Sequence, residues 1–184
     1  PDELNGDLLL MESRTSVRRI TSHLLEQGRT LPGFIGDIGY AQSNRERYEG
    51  FCQALTDAGK KVDSSLCLTT PLGIDTYREE IDTFLSSLSR MPDAFVCASD
   101  YVACILMQLL EKRGLRVPED VAVSGFDNNT EDLLAEHLTT VQVFNEELGA
   151  RLALQILYRI KYPNTPHEIT YLGTNVLYRD STGD

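Results

Sequence analysis

No stretch of this sequence is long and apolar enough to cross a bilayer; the longest candidate, Val102 to Leu110, is broken by Gln108. No secretory signal opens it either, because Pro1-Asp2-Glu3-Leu4-Asn5-Gly6-Asp7 is acidic and polar. The start at Pro1 rather than Met reads as a cut or an engineered boundary. Positive charge is scarce: 17 Lys and Arg stand against 28 Asp and Glu, a formal net charge of −11, and no basic stripe forms. A surface of that sign repels phosphate backbones, so this stretch of chain is not expected to grip nucleic acid itself. Paired cysteine spacing is missing too. Cys52, Cys67, Cys97 and Cys104 each sit inside an apolar pattern, and none belongs to a C-x-x-C. That disfavours a disulfide framework or a zinc site and suits small buried hydrophobes in a reducing, cytoplasmic compartment. Histidine is rare: His23, His137 and His167 all lie away from strand ends that carry a cysteine, serine or carboxylate. With no G-x-S-x-G elbow, G-x-G-x-x-G or Walker loop, neither an enzyme nor a cofactor is expected.

What is present is an alternation of short β-type runs with amphipathic helical stretches across 184 residues, enough for one large or two small domains. Leu8 to Met11 reads as a strand, and Ser16 to Gln27 as a helix stopped by Gly28. Phe34-Ile35-Gly36 is a buried strand. Ser43-Asn44-Arg45-Glu46 and Thr76-Tyr77-Arg78-Glu79 both read as capping boxes, the first opening a helix that ends at Gly59. Further strands are expected at Leu66 to Leu68, Ala94 to Ala98, Val121 to Phe126 and Thr140 to Val143. Ser99 is placed to cap a helix that stops near Gly114. A long helix from Glu146 to Ile160 aligns Leu148, Leu152, Ile156 and Ile160, and strands at Ile169 to Leu172 and Asn175 to Tyr178 close the chain. Strand then helix, four times over, predicts an α/β fold with a doubly wound parallel sheet covered on both faces.

Ligands settle at the carboxyl ends of the strands in such sheets, which singles out Asp37 to Ser43, Ser99-Asp100 and Asp127-Asn128-Asn129. These loops are polar and hold no nucleophile. Asp127 can accept from vicinal hydroxyls, or simply cap the turn that follows it. Arg47, one helical turn past Ser43, can hold two oxygens with its planar fork, or pair at the surface with Glu46 or Glu49. Ser43 and Ser99 are caps whatever else they do. Tyr40 offers a ring face and a polar tip to a sugar, or belongs to a surface loop.

Six segments in order also resemble the lac/gal repressor family. They are Gly33-Phe34-Ile35-Gly36-Asp37; Arg47-Tyr48-Glu49-Gly50-Phe51 with Ala54-Leu55; Val96-Cys97-Ala98-Ser99-Asp100; Gly114 to Val121 with Ser124-Gly125-Phe126-Asp127-Asn128; Leu138 to Val141 with Glu147-Leu148-Gly149; and Leu177-Tyr178-Arg179-Asp180-Ser181-Thr182. The resemblance runs from about residue 8 to the end. It implies a two-subdomain core, like that of periplasmic sugar-binding proteins, behind a helix-turn-helix headpiece that binds operator DNA. Arg47, Ser99 and Asp127 then correspond to effector-contacting positions. Ser43 and Ala41 fall at two neighbouring pocket positions, where Ala41 brings no hydroxyl, and Val143 and Asn145 line the cleft at a crossover.

On this reading 1–12 is a remnant strand of the N-terminal subdomain and 13–142 a nearly complete C-terminal effector-binding subdomain. Residues 143–172 return to the first and 173–184 to the second, while the headpiece and most of the first subdomain's sheet precede Pro1. The implied function is effector sensing and dimerisation in a transcription regulator that answers a sugar or sugar derivative. The rival from another class is a periplasmic sugar-binding protein of a transporter. In related regulators two copies pair partly through the helix after the Ser-Asp turn. Here that helix, Tyr101 to Arg113, turns Ile105, Leu106 and Leu109 inward and is expected to offer Cys104, Met107 and Gln108 to a homodimer interface, or else to finish its own core with them.

Overall fold

A computed structural model describes residues 6–73, 75–128 and 136–184, which leaves Asn129 outside the described residues. Four parallel strands make its main sheet. β2 (Pro32–Ile35) pairs with β3 (Cys67–Leu68) on one side and β4 (Ala94–Cys97) on the other, and β4 pairs with β5 (Ala122–Ser124). The order β3-β2-β4-β5 reverses direction after β3, as a doubly wound sheet does.

Alternation along the strands supplies both faces. Phe34, Ala94, Val96 and Ala122 point to one side, where α1 (Arg14–Glu26) brings Val17, Ile20 and Leu24 and α2 (Gln42–Asp57) brings Phe51 and Leu55. Ile35, Phe95, Cys97 and Val123 point to the other, where α3 (Tyr77–Ser87) brings Ile81 and Leu85 and α4 (Asp100–Lys112) brings Val102, Leu106, Leu109 and Leu110. The expected α/β fold is the one found. α1 and α2 meet at Gly50, where a Cβ would overlap the Arg14 carbonyl oxygen. Gly50→Ala is therefore expected to cost about 1–3 kcal/mol by overpacking, read as a lower urea midpoint at unchanged slope.

Helix starts depart from the sequence reading. α1 begins at Arg14, two residues before Ser16, because the Glu12 carboxylate accepts from the Thr15 and Ser16 N–H groups. Ser16 instead shares a hydrogen bond of 2.9 Å with the Thr174 hydroxyl. α2 begins at Gln42 with extended Ala41 at its cap position, so Ser43 lies inside the first turn and caps nothing. The loop is held by Asp37, whose carboxylate accepts from the N–H groups of Gly39 and Tyr40 at 2.8 and 3.0 Å. Thr76 does precede α3, but its hydroxyl goes to the Glu80 carboxylate rather than taking part in a box with Glu79. Ser99 caps α4 as expected, accepting from the Val102 N–H at 3.3 Å.

Two smaller pieces complete the fold. β6 (Thr140–Gln142) leaves the main body and β8 (Asn175–Leu177) returns to it, antiparallel to one another. Between them run α5 (Asn145–Lys161) and β7 (Ile169–Leu172), and β7 pairs in parallel with β1 (Leu8–Met11). Asp7 fastens this unit by accepting from Gln155 at 2.9 Å, from Arg159 Nε at 3.0 Å and from the Glu168 N–H at 3.0 Å. Hydrogen bonds from Arg159 and Gln155 hold its carboxyl far below the usual range. The helix face so anchored is polar. Its apolar residues Leu152, Leu154, Ile156, Leu157 and Ile160 are exposed, Ile160 at 72%.

Candidate functional site

Arg47 and Asp127 meet at the carboxyl ends of the central strands. α2 turns Arg47 inward, so only 8% of the residue is exposed, and its guanidinium lies 3.7 Å over the Phe126 ring. Nη1 donates to the Ala98 carbonyl at the end of β4, and Nη2 donates to Asp127 Oδ1 at 3.3 Å. Nε is buried without a partner among the described residues. The surface reading of Arg47 is excluded: Glu49 pairs with Arg14, and Glu46 accepts from Gln42. Burial pulls the Arg47 guanidinium below its ordinary value, against the opposing pull of Asp127. It also pushes the Asp127 carboxyl up, although Arg47 works against that shift. The Arg47 guanidinium thus carries its charge where water reaches it poorly, while the Asp127 side chain beside it stays 42% exposed, and both can gain from a ligand that supplies hydrogen bonds.

Asp127 sits at φ 105° and Asn128 at φ 50°, both in the left-handed half of backbone space that favours glycine. Strain of this kind survives only where surroundings enforce it, and it gathers at binding sites. Here the Asp127 N–H donates to the Val141 carbonyl at 3.1 Å, tying the turn to β6. Asp100 braces the other side. Its N–H donates to the Phe126 carbonyl at 2.8 Å, and its Oδ1 accepts from the Thr140 hydroxyl at 2.6 Å. Gly125 has to be glycine, since a Cβ there would run into that same carboxylate oxygen.

The other expected site residues divide. Ser99 directly follows the carbonyl that Arg47 holds; its oxygen caps α4 while its O–H is left to donate. Half-buried Ser43 lies one turn before Arg47 on α2. Val143 and Asn145 follow β6 and line, with Gln142, Phe144, Glu146 and Glu147, an open groove of about 640 Å³. Tyr40 does not join them: its side is 75% exposed and only its backbone is held. Asp100 lies in the Ser99-Asp100 loop that the sequence singles out, but Thr140, Gln142 and Arg179 were not expected at the site, though Thr140 and Gln142 flank Val141 as polar positions in an otherwise apolar strand.

On α4 the expected dimer residues also part company. Cys104 is 4% exposed and packs in the core between sheet and helices, so it is no surface residue. Its thiol replaces a small apolar side chain there, which is the core-finishing alternative. Met107 is half-buried, and Gln108 accepts from Arg78 of α3. Among the described residues no group of His, Cys, Asp and Glu is arranged to hold a metal ion, and no helix is long and apolar enough to cross a membrane.

Comparison with known proteins places this geometry. The family described as periplasmic binding protein-like domain matches residues 21–182. The transcriptional regulator DegA of Bacillus subtilis is 32% identical over 146 residues, covering 78% of this chain and 42% of its own. The transcriptional repressor PurR of Actinobacillus pleuropneumoniae is 30% identical over 165 residues, covering 89% and 49%. Among solved structures, a complex of the transcriptional regulator CelR with cellobiose superposes with a TM-score of 0.87 at 28% identity, over 98% of this chain and 55% of that one. The chain spans about half the length of the curated relatives it matches. These relatives are named as transcription regulators, not as enzymes or transport proteins, which does not favour the carrier reading. A transcriptional regulator of the LacI family from Sanguibacter keddieii superposes with a TM-score of 0.85 at 27% identity, over 98% of this chain and 68% of that one. By family match, fold and order of motifs, this chain belongs to the periplasmic binding protein-like domain family and is similar to regulators of the lac repressor (LacI) type.

Proposed function

We propose that this chain is the effector-sensing core of a longer, cytoplasmic, dimeric DNA-binding regulator whose effector is a sugar or sugar derivative. The observation that carries it is the Arg47–Asp127 pair: a buried fork with an unused N–H beside a raised carboxylate, both at the strand ends. Vicinal hydroxyls can donate to Asp127 and accept from Arg47, and Ser99, Ser43, Val143 and Asn145 would line the same cleft. The cellobiose seen with CelR supports the sugar class. In this reading 13–142 with 173–184 forms the effector-binding subdomain, and 1–12 with 143–172 belongs to a second one, completed by chain outside this sequence. Effector binding would shift the balance between two arrangements of the subdomains and so the spacing of the DNA-binding ends. Calorimetric titration of the intact regulator with cellobiose, glucose and ribose tests the sugar reading; absence of heat with a panel of common sugars would remove it.

Two further results are expected. With a charge of −11, this chain alone should not retard a double-stranded operator at physiological salt, and a salt-sensitive gel shift would overturn that. The α4 face, now reduced to Met107 and Gln108, is proposed to pair two copies. Gln108→Glu should move the sedimentation coefficient toward that of the monomer without unfolding the protein. Cys104→Arg should instead unfold it, because an arginine cannot be accommodated at a buried core position. A wild-type monomer at micromolar concentration would dismiss the interface.

A further inference from the structure

Two successive left-handed residues need something to hold them, and the holding bonds converge on Asn128. Its N–H donates to the Thr140 hydroxyl at 3.2 Å. Its side-chain amide donates to Gln142 Oε1 at 2.6 Å, and its Oδ1 accepts from Arg179 Nη2 at 2.9 Å. The orientation of that amide follows from chemistry. A guanidinium only donates, so the atom facing Arg179 is the oxygen, and the NH₂ is left to face Gln142. Gln142 in turn spends its own NH₂ on the Val143 carbonyl at 2.7 Å, which presents its oxygen to Asn128.

These three partners are not neighbours by accident of sequence. Thr140 and Gln142 lie on β6, where the chain leaves the main body toward α5. Arg179 follows β8, where the chain comes back, and it also donates to the Leu138 carbonyl at 3.0 Å, just ahead of β6. The Thr140 hydroxyl passes on to Asp100, whose N–H holds Phe126, the residue before Asp127. The network therefore starts and ends at the Asp127 turn and takes in the crossings at β6 and β8 on the way.

We propose that Asn128 is a positioning residue for effector recognition: it aims the Asp127 carboxylate and links that turn to two of the three chain crossings between the main body and the α5 unit, those at β6 and β8. It need not touch the effector. The inference rests on the effector site proposed above. A bland role, in which asparagine is present only because it tolerates a positive φ, makes the opposite prediction for glycine, which adopts that conformation more easily but carries no side chain.

The test uses the intact regulator, with cellobiose as probe, and two readouts: affinity by calorimetry, and amide exchange in β6 and β8 with and without the sugar. Asn128→Gly is expected to bind roughly 10-fold more weakly, as loss of two hydrogen bonds would give, and to lose the sugar-dependent protection of β6 and β8. Asn128→Asp keeps the acceptor for Arg179 and is expected to retain much of both. If Asn128→Gly matches wild type in affinity and in protection, the proposal is overturned. Should that variant fail to fold, Gln142→Ala reads the same link from β6, and unchanged affinity with unchanged β6 protection there overturns it equally. Asp127→Ala separates the two levels: if it loses cellobiose while Asn128→Gly does not, this inference alone falls. A wild type that binds neither cellobiose nor glucose or ribose overturns the sugar reading and this inference with it.

Discussion

Arg47→Ala is expected to weaken effector binding by about 2–5 kcal/mol, the range for removing one partner of a buried, hydrogen-bonded charge pair. Three losses coincide. The Ala98 carbonyl loses its donor, Asp127 is left without its cation, and the guanidinium no longer covers the Phe126 ring. Asp127→Ala should cost less, about 1–3 kcal/mol, because its carboxylate is partly open to water while Arg47 keeps the Ala98 bond. The two effects should not add, since each variant already breaks the shared contact. Calorimetry on both single variants and on the double variant measures this, with thermal melts to separate binding from folding. Unchanged affinity in Asp127→Ala would take that residue out of the site.

The second large effect is expected at the other end of the molecule. α5 has no buried residue, and Leu152, Leu154, Ile156, Leu157 and Ile160 lie open along it. Burial of a Leu or Ile is worth roughly 1.5–3 kcal/mol each, so this helix holds little of its possible stability. The two strands beneath it, β1 and β7, form a sheet with no third member among the described residues, and a two-stranded sheet is marginal by itself. In this chain at high dilution, hydrogen exchange should be slow at Phe34, Val96 and Val123, whose strands are covered on both faces, and far faster from Glu146 to Ile160. Equal protection in both regions would contradict the proposal that α5 and its two strands belong to a second subdomain completed elsewhere in the polypeptide.

Much of this was legible in the order of residues. Continuous apolar runs such as Phe34-Ile35 and Ala94 to Cys97 and the 3.6-period stripes of α1 and α4 specify buried strands and helices locally, and their alternation leaves few topologies other than a parallel sheet. The polar strand ends follow from the same pattern, which is how Arg47, Ser99 and Asp127 stood out. Helix starts were less legible. A capping box is a local signal, and at Ser43 it lost to the loop that Asp37 ties down seven residues before Asn44, whose side chain returns the bond to the Asp37 carbonyl at 2.9 Å. Cys104 was misplaced because one helical face looks like another until its neighbours are known. Its burial is decided by α3 and the sheet, not by its spacing from Ile105. What no periodicity could show is the company that Asn128 keeps. Thr140, Gln142 and Arg179 stand 12, 14 and 51 residues further along the chain, and contacts across such separations depend on how strands register in the folded sheet. Sequence alone determined which segments would become sheet and cover; tertiary structure decided which polar groups met at its end, because hydrogen bonds form by distance in space and not along the chain.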